Sequence, residues 1–328
     1  MTSKLKIQLI NSMENLGGAE LRTIQMANIL GQVSDVSIWA TRDIDPRLTG
    51  RANITRINAQ ILQYPKNGVF VFIGCYQPIG DWIRRSEPSR VILLHNTPTF
   101  NLFKSAYEKL LSVFENVEIV YTSEWLKIAT GFPGEVQASP IDVKKFPSKL
   151  NYDFTQNFRV GRLSRDDIQK HDPNDCELYV ELANSNCTVD IMGGKTLQKW
   201  LPNHNNIFLS DSGDRDSSSF LRDLDVFYYK TNPNWREPFG RVILEAMLTG
   251  LPVVAHMEGG YAENIEHGLD GFLFRDQSEA LSIILELKGN ASIRKSVGES
   301  ARRKALSIYG DNFINSLIKY YTHKPIYF

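Results

Sequence analysis

Short apolar runs alternate with stretches of helical periodicity from one end of this 328-residue sequence to the other. Apolar runs that are nearly continuous and lie between helices are typical of a parallel sheet covered on both faces. The alternation therefore predicts an α/β protein with doubly wound, Rossmann-like sheets. The runs that we interpret as strands are Lys6–Ile10, Val36–Ala40, Val69–Gly74, Arg90–Leu94, Val117–Tyr121, Phe158–Gly161, Val189–Met192, Ile207–Ser210, Val226–Tyr229 and Pro252–Ala255.

The length and one irregular stretch predict two domains. At about 150 residues per domain, a chain of 328 residues divides into two. The stretch from Ser139 to Lys149 is polar, contains two prolines and has no helical or strand periodicity. We therefore place the boundary near residues 140–156, with a first domain at 1–150.

Composition narrows the class of protein. The formal net charge is zero, so no overall field favours binding to nucleic acid. Three cysteines at wide spacing form neither a disulfide framework nor a zinc pattern. No segment approaches 18 apolar residues, and the first residues do not form a signal-peptide pattern. These observations predict a cytoplasmic protein that does not span a membrane.

The stretch from Arg236 to Phe274 carries the strongest functional signal. Glu237 stands just before a predicted helix and Glu245 lies eight residues later inside it, so both carboxylates can point to one side. The N–H groups of Phe239 and Gly240 stand at the start of the helix. Unpaired N–H groups at a helix start favour the binding of an anion. Two hydroxyl acceptors beside an anion site indicate a ligand in which a sugar is joined to a phosphate.

This stretch resembles the Glu-x7-Glu signature of retaining GT-B glycosyltransferases, in particular glycosyltransferase family 4. The flanking residues agree in kind and order, and include Glu245-Ala-Met247, Gly250-Leu-Pro-Val-Val254, Gly259-Gly260 and Gly268 through Phe272. The resemblance implies a GT-B fold, in which two Rossmann-like domains face each other across a cleft. It implies an acceptor domain at 1–150, a nucleotide-sugar donor domain at 151–310, and a last helix at 311–328 that crosses back to the first domain.

Two further stretches resemble the phosphate-binding motifs of the same family. Gly17 and Gly18 follow the first strand, where glycines let the backbone approach a phosphate. Arg162, Arg165 and Lys170 follow the first strand of the second domain, and guanidinium and ammonium groups both bind diphosphate. We favour Arg165 with Lys170 for this role. A structural turn at the glycines and a solvated charged loop at the cations are the alternatives.

Two positions at predicted strand ends complete the candidate site. Gly193 lies in Met192-Gly-Gly, which resembles the family loop beneath the nucleotide base; a simple turn is the alternative. His95 ends a strand of the first sheet, at the carboxyl edge where α/β proteins bind ligands. The resemblance implies a histidine near the donor sugar and the acceptor hydroxyl, and a purely structural histidine is the alternative.

An apolar stripe with helical spacing follows His95. Its members are Phe100, Phe103, Tyr107, Leu110, Leu111 and Phe114, with Lys104 and Lys109 beside them. The pattern is compatible with a helix on a membrane surface and with a helix that faces the core, and we favour the core. Some family members use the first domain to reach lipid-linked acceptors, so peripheral contact with the inner face of a membrane stays open.

The resemblance therefore implies a retaining glycosyltransferase that moves a hexose-type sugar from a nucleotide-diphosphate sugar to a glycan or lipid-linked saccharide. Glu237, Lys170, Arg165 and His95 are the predicted catalytic residues, and the predicted donor-binding residues are Gly17, Gly18, Arg162, Gly193, Phe239, Gly240 and Glu245. We expect no metal, no cofactor and no nucleic acid. A nucleotide-sugar epimerase and a non-catalytic sugar-nucleotide-binding module are the alternatives. An NAD oxidoreductase is disfavoured because the Gly-x-Gly-x-x-Gly fingerprint is missing.

Overall fold

The computed structural model describes residues 4–149 and 158–323, which divide into two compact units. The first unit contains the described residues up to Ile141 and those from Gly310 onward, and the second contains the described residues of Asp142–Tyr309. Part of the predicted boundary segment, residues 150–157, lies outside the described residues, as do the last five residues of the predicted terminal helix.

Each unit is built on one parallel sheet, which confirms the predicted α/β class. The strands are β1 (Lys6–Asn11), β2 (Asp35–Ala40), β3 (Ile54–Arg56), β4 (Gly68–Ile73), β5 (Pro88–His95), β6 (Glu118–Tyr121), β7 (Glu135–Val136), β8 (Arg159–Leu163), β9 (Thr188–Met192), β10 (Ile207–Ser210), β11 (Val226–Tyr229), β12 (Val253–His256) and β13 (Phe272–Phe274). The helices are α1 (Gly18–Leu30), α2 (Phe100–Leu111), α3 (Glu124–Thr130), α4 (Asp175–Asn184), α5 (Ser217–Arg222), α6 (Arg241–Thr249), α7 (Gln277–Gly289), α8 (Ala291–Ile308) and α9 (Asp311–Thr322).

The sheet of the first unit has the strand order β3-β2-β1-β4-β5-β6-β7. One apolar cluster joins this sheet to α1 and α9, since Ile7 and Leu9 of β1 share it with Leu317 and Tyr321. The terminal helix α9 is therefore part of the core of the first unit, although the whole second unit separates it from α3 in the sequence. A second cluster, around Trp82, contains residues of β4, β5 and α2.

The sheet of the second unit has the strand order β10-β9-β8-β11-β12-β13. Its core joins Val160 of β8 and Tyr228 of β11 to α4 and α7. The order reverses between β8 and β11, because the chain first builds outward from β8 and then returns to its other side. Ligands of doubly wound proteins bind at the carboxyl ends of the strands beside such a reversal.

Three strands, β3, β7 and β13, were not predicted from the sequence. They have three, two and three residues, which is too short for an apolar run to stand out from a turn. On either side of β3 the structure has short 3₁₀ turns, at Pro46–Leu48 and Ala59–Ile61.

The apolar stripe after His95 belongs mainly to the core. Phe103 and Leu110 of α2 are fully buried, and Tyr107 and Phe114 pack against them. Phe100, at the start of α2, stays exposed. The core-facing interpretation accounts for most of the stripe, and membrane contact stays a prediction. Within the described ranges, no helix is both long and apolar enough to cross a membrane.

Candidate nucleotide-sugar site

The two glutamates lie on either side of the start of α6, as the sequence predicted. Gly240 precedes the helix with φ of +70°, a left-handed conformation that favours glycine. A Cβ at Gly240 would also come within 2.8 Å of the Cβ of Tyr261. A side chain at position 240 would therefore strain the turn or displace Tyr261. This turn determines where α6 begins, between Glu237 and Glu245.

Glu237 forms an ion pair with Lys170, which lies 67 residues earlier in the chain. The Lys170 ammonium donates to Oε2 of Glu237 over 2.5 Å, and both side chains are largely buried. The hydroxyl of Tyr229, the last residue of β11, donates to the same oxygen over 3.2 Å. The Lys170 ammonium also lies 5.0 Å from the ring centre of Trp235. The structure thus brings Lys170 and Glu237 together at the carboxyl end of β11.

The ion pair keeps the Glu237 carboxyl ionised. Burial alone would raise the pKa of Glu237, but the Lys170 ammonium and the Tyr229 hydroxyl outweigh burial and place that pKa below its ordinary value. The Arg165 guanidinium lowers the same pKa further. Glu237 is therefore a carboxylate at neutral pH and can accept hydrogen bonds from hydroxyl groups.

Glu245 lies inside α6 and pairs with Arg241, one helical turn earlier, over 2.8 Å. Burial raises the pKa of Glu245, and Arg241 offsets this only in part. Burial therefore makes the ionised form of Glu245 less favourable in free energy. Carboxyl groups with shifted pKa values are frequent at ligand-binding and catalytic sites.

The two arginines of the predicted cation cluster lie in different environments. Arg165 is partly exposed, and its guanidinium lies 3.8 Å from the carboxylate of Asp167. Arg162 is 1% exposed. Its guanidinium donates to the backbone carbonyl of Lys170 and lies 4.8 Å from the ring centre of Tyr229. Arg165 is thus available to an anion from solvent, whereas Arg162 holds the backbone and ring beside the Lys170–Glu237 pair.

Gly193 packs beneath the turn that carries Arg165. Its φ is +80°, and a Cβ there would come within 2.0 Å of the carbonyl oxygen of Ser164. Nε2 of His171 lies 2.7 Å from the carbonyl oxygen of Gly193 and 3.0 Å from Oγ of Ser164. The structure therefore brings two predicted motifs together, and Gly193 has a structural reason to be glycine.

The remaining predicted residues belong to the first unit. Gly17 and Gly18 stand at the start of α1, and a Cβ at Gly18 would meet no atom within 4 Å. The backbone of the first unit therefore does not require glycine at position 18. His95 ends β5, fully buried, with Nδ1 3.3 Å from the sulfur of Cys75. Burial lowers the pKa of His95 to about 3, so its ring is neutral.

Tyr229, Trp235 and Arg241 were not predicted from the sequence. Tyr229 donates to Glu237, eight residues later, and Trp235 contacts Lys170 of a distant segment, and neither residue belongs to a pattern that reveals such a contact. Arg241 was visible, because a basic residue four positions before Glu245 on a predicted helix is a favourable ion-pair spacing. The structure describes no group of three or more His, Cys, Asp or Glu side chains that could hold a metal ion.

The second unit matches a known family. Residues 174–304 match the family Glycosyl transferases group 1. This segment contains Gly193, Glu237 and Glu245 but begins after Lys170. Spore coat protein SA of Bacillus subtilis is 35% identical over 89 residues, which are 26% of this chain and 23% of that protein. The chain thus matches only about a quarter of the length of this relative.

Solved structures share the whole fold. Anabaena Alr3699/HepE, crystallised with UDP and glucose, has a TM-score of 0.76 at 18% identity, and the match covers 96% of this chain and 98% of HepE. WaaG, described as a glycosyltransferase involved in lipopolysaccharide biosynthesis, has a TM-score of 0.68 at 13% identity. The match covers 96% of this chain and 99% of WaaG. These likenesses show a GT-B fold. The family match itself is confined to residues 174–304, within the second unit.

Proposed function

We propose that this protein is a retaining glycosyltransferase of family 4. It would transfer a hexose-type sugar from a nucleotide-diphosphate sugar to a glycan or a lipid-linked saccharide. The observation that carries the proposal is the Lys170–Glu237 pair at the entry to α6. A cation for a diphosphate and a carboxylate for sugar hydroxyls lie side by side there, next to the segment that matches the group 1 family.

Six residues of the second unit have a stated part in this proposal. Lys170 and Arg165 neutralise the diphosphate, because ammonium and guanidinium groups form charge-assisted hydrogen bonds with phosphate oxygens. Glu237 accepts from the hydroxyls of the transferred sugar, and Glu245 accepts from the ribose. The N–H groups of Phe239 and Gly240 add donors at the start of α6.

The proposed reaction exchanges one bond at the anomeric carbon for another. The bond from this carbon to the diphosphate oxygen breaks, and a bond to the acceptor oxygen forms on the same face of the sugar. The acceptor proton passes to the departing phosphate. Positive charge develops on the sugar as in other glycosyl transfers, and negative charge develops on the diphosphate. Lys170 and Arg165 would lower the barrier by stabilising this negative charge.

The first unit is the proposed acceptor domain, and His95 is its proposed catalytic side chain. With its low pKa, His95 would act as a neutral hydrogen-bonding group. We propose that the protein works in the cytoplasm, in polysaccharide or lipopolysaccharide-type synthesis, at the inner face of a membrane where its acceptor is lipid-linked. The fold shared with WaaG supports the lipopolysaccharide part of this proposal. HepE was crystallised with UDP and glucose, which makes UDP-glucose the first donor to test.

We expect Gly18→Ala to weaken nucleotide-sugar binding and to leave the thermal midpoint unchanged. The added methyl meets no protein atom, but it occupies the space through which the backbone would approach the diphosphate. Gly289→Ala is the matched control, because a Cβ at Gly289, on α7, also meets nothing. Donor affinity is measured by calorimetry. If Gly18→Ala and Gly289→Ala bound the donor equally well, the Gly17-Gly18 loop would not be part of the donor site.

Thermal unfolding with UDP, GDP, ADP or NAD tests the proposal at its first step. A ligand at about 100 times its Kd adds about 2.7 kcal/mol of stability, which shifts the midpoint by several degrees. A shift with one nucleoside diphosphate is expected and would identify the base. A shift with NAD alone, or with none of the four, would contradict a nucleotide-sugar site.

A further inference from the structure

We infer that Tyr229 is a positioning residue that fixes the Glu237 carboxylate and selects which of its oxygens meets the ligand. This inference rests on the proposed function. The Tyr229 hydroxyl and the Lys170 ammonium both donate to Oε2 of Glu237, over 3.2 Å and 2.5 Å. Within the described part of the chain, Oε1 of Glu237 has no hydrogen-bond partner.

The Tyr229 ring is packed on several sides. The Arg162 guanidinium lies 4.8 Å from its ring centre, and the ring of Phe227 is stacked at 6.2 Å with an angle of 16°. The ring of Tyr261 meets it edge-on at 5.5 Å. Tyr229 is 2% exposed. A ring packed in this way keeps one rotamer, so its hydroxyl stays at one place.

The protonation states of Tyr229 and Glu237 determine which of the two donates the hydrogen bond. Burial raises the pKa of Tyr229 well above its ordinary value, so the phenol keeps its proton. The pKa of Glu237 lies below its ordinary value, so the carboxylate can only accept. Tyr229 therefore donates its single proton to Oε2. A planar carboxylate held at one oxygen presents the other in a fixed direction, and Oε1 becomes the oxygen that accepts from the sugar.

Arg162 contacts both residues that donate to Glu237. Its guanidinium donates to the carbonyl oxygen of Lys170 and also lies over the Tyr229 ring. One buried cation therefore positions both groups that hold Oε2 of Glu237. This accounts for a guanidinium that is 1% exposed beside a site for a charged ligand. We infer that Arg162 acts through Lys170 and Tyr229 rather than by touching the diphosphate.

The Tyr229 hydroxyl also has a separate task during the proposed reaction. A diphosphate attracts the Lys170 ammonium, which then shares its hydrogen bonds between Glu237 and the phosphate oxygens. The Tyr229 hydroxyl is neutral and is not drawn to the diphosphate. It keeps Glu237 in place while Lys170 serves the leaving group.

Tyr229→Phe tests this inference, since it removes the hydroxyl and keeps the ring. We expect the pKa of Glu237 to rise in the unliganded protein, because the lost hydrogen bond lowers it. The acid limb of kcat/KM should move to higher pH. The affinity for UDP-glucose should fall about tenfold, whereas the affinity for UDP, which has no sugar, should stay within about twofold. The pKa is measured by carbon NMR of the labelled carboxyl, and the affinities by calorimetry.

Tyr228→Phe is the matched control, because Tyr228 is the neighbouring residue on β11 and packs in the core on the opposite face of the sheet. It should keep the wild-type pKa of Glu237 and the wild-type affinities. An unchanged Glu237 pKa in Tyr229→Phe would overturn the inference, as would equal losses of UDP and UDP-glucose. The NMR titration needs no ligand, so it tests the role of Tyr229 even where the wild-type protein transfers no sugar and the proposed function itself fails.

Discussion

Replacing Lys170 by methionine is expected to lower the rate of glycosyl transfer by at least about a hundredfold, because the departing diphosphate loses its principal positive charge. Methionine keeps an unbranched apolar side chain, one atom shorter than that of lysine, and removes the ammonium. The variant should also unfold more easily, by about 3–5 kcal/mol, since Glu237 is left as a buried carboxylate without its cation. Turnover is measured with the donor that the binding screen identifies, and stability by denaturant unfolding.

A double variant separates these two losses. Lys170→Met with Glu237→Gln removes both charges, so most of the stability should return while activity stays low. Lys295→Met is the control for the loss of a lysine, because Lys295 pairs with Glu299 at the surface of α8 and has no place in the proposed site. It should keep wild-type turnover. Wild-type turnover in Lys170→Met would exclude Lys170 from the chemistry.

Replacing Glu245 by glutamine is expected to weaken donor binding by about 10- to 100-fold, since a charge-assisted hydrogen bond contributes about 1.5–3 kcal/mol. The folded protein should not become less stable at neutral pH, because burial already makes the ionised form of Glu245 costly. Calorimetry with the identified nucleotide sugar measures the affinity. Glu299→Gln on α8 is the control, because its ion pair with Lys295 is exposed.

The pH dependence at Glu245 separates stability from binding. The pKa of Glu245 is raised in the folded state, so the stability linked to it is fully present below the ordinary pKa and is lost as the pH rises through the raised value. Binding has the opposite dependence, because the carboxylate accepts from the ribose more strongly than the protonated carboxyl group does. Glu245→Gln should remove both dependences. If Glu245→Gln bound the donor with wild-type affinity at every pH, the proposed role of Glu245 would be wrong.

Glu237 has the opposite linkage. Its pKa is lowered in the folded state, so its stabilising contribution is present above the ordinary pKa and is lost as the pH falls through the lowered value. The two glutamates of one motif thus differ in electrostatic environment. A partner from a distant segment stabilises the charge of Glu237, whereas the ion-pair partner of Glu245, Arg241, lies in the same helix and offsets its burial only in part.

The sequence predicted the elements that depend on local patterns. Parallel strands such as β1 and β11 are apolar runs, and α6 follows from its periodicity together with Gly240 and Gly250 at its ends. The short strands β3, β7 and β13 were missed because two or three residues carry no pattern. They form because a neighbouring strand supplies their hydrogen bonds.

The contacts of the candidate site were harder to predict. Lys170 and Glu237 were both named from the sequence, but their direct pairing depends on how the segment after β8 lies beside the segment after β11. Arg162 and Arg165 look alike in the sequence. Only the fold shows that Arg162 is enclosed near Tyr229 and that Arg165 reaches solvent.

Proton NMR of a glycosyl transfer reaction shows whether the protein transfers a sugar and whether it retains the anomeric configuration. The protein is incubated with the sugar form of the nucleoside diphosphate that stabilises it, starting with UDP-glucose, and with a panel of saccharide acceptors. We expect a product whose anomeric configuration matches that of the donor, and no such product with Lys170→Met. An inverted product would contradict the retaining mechanism. A donor sugar altered without any acceptor, or left intact with every acceptor, would contradict the proposed transferase.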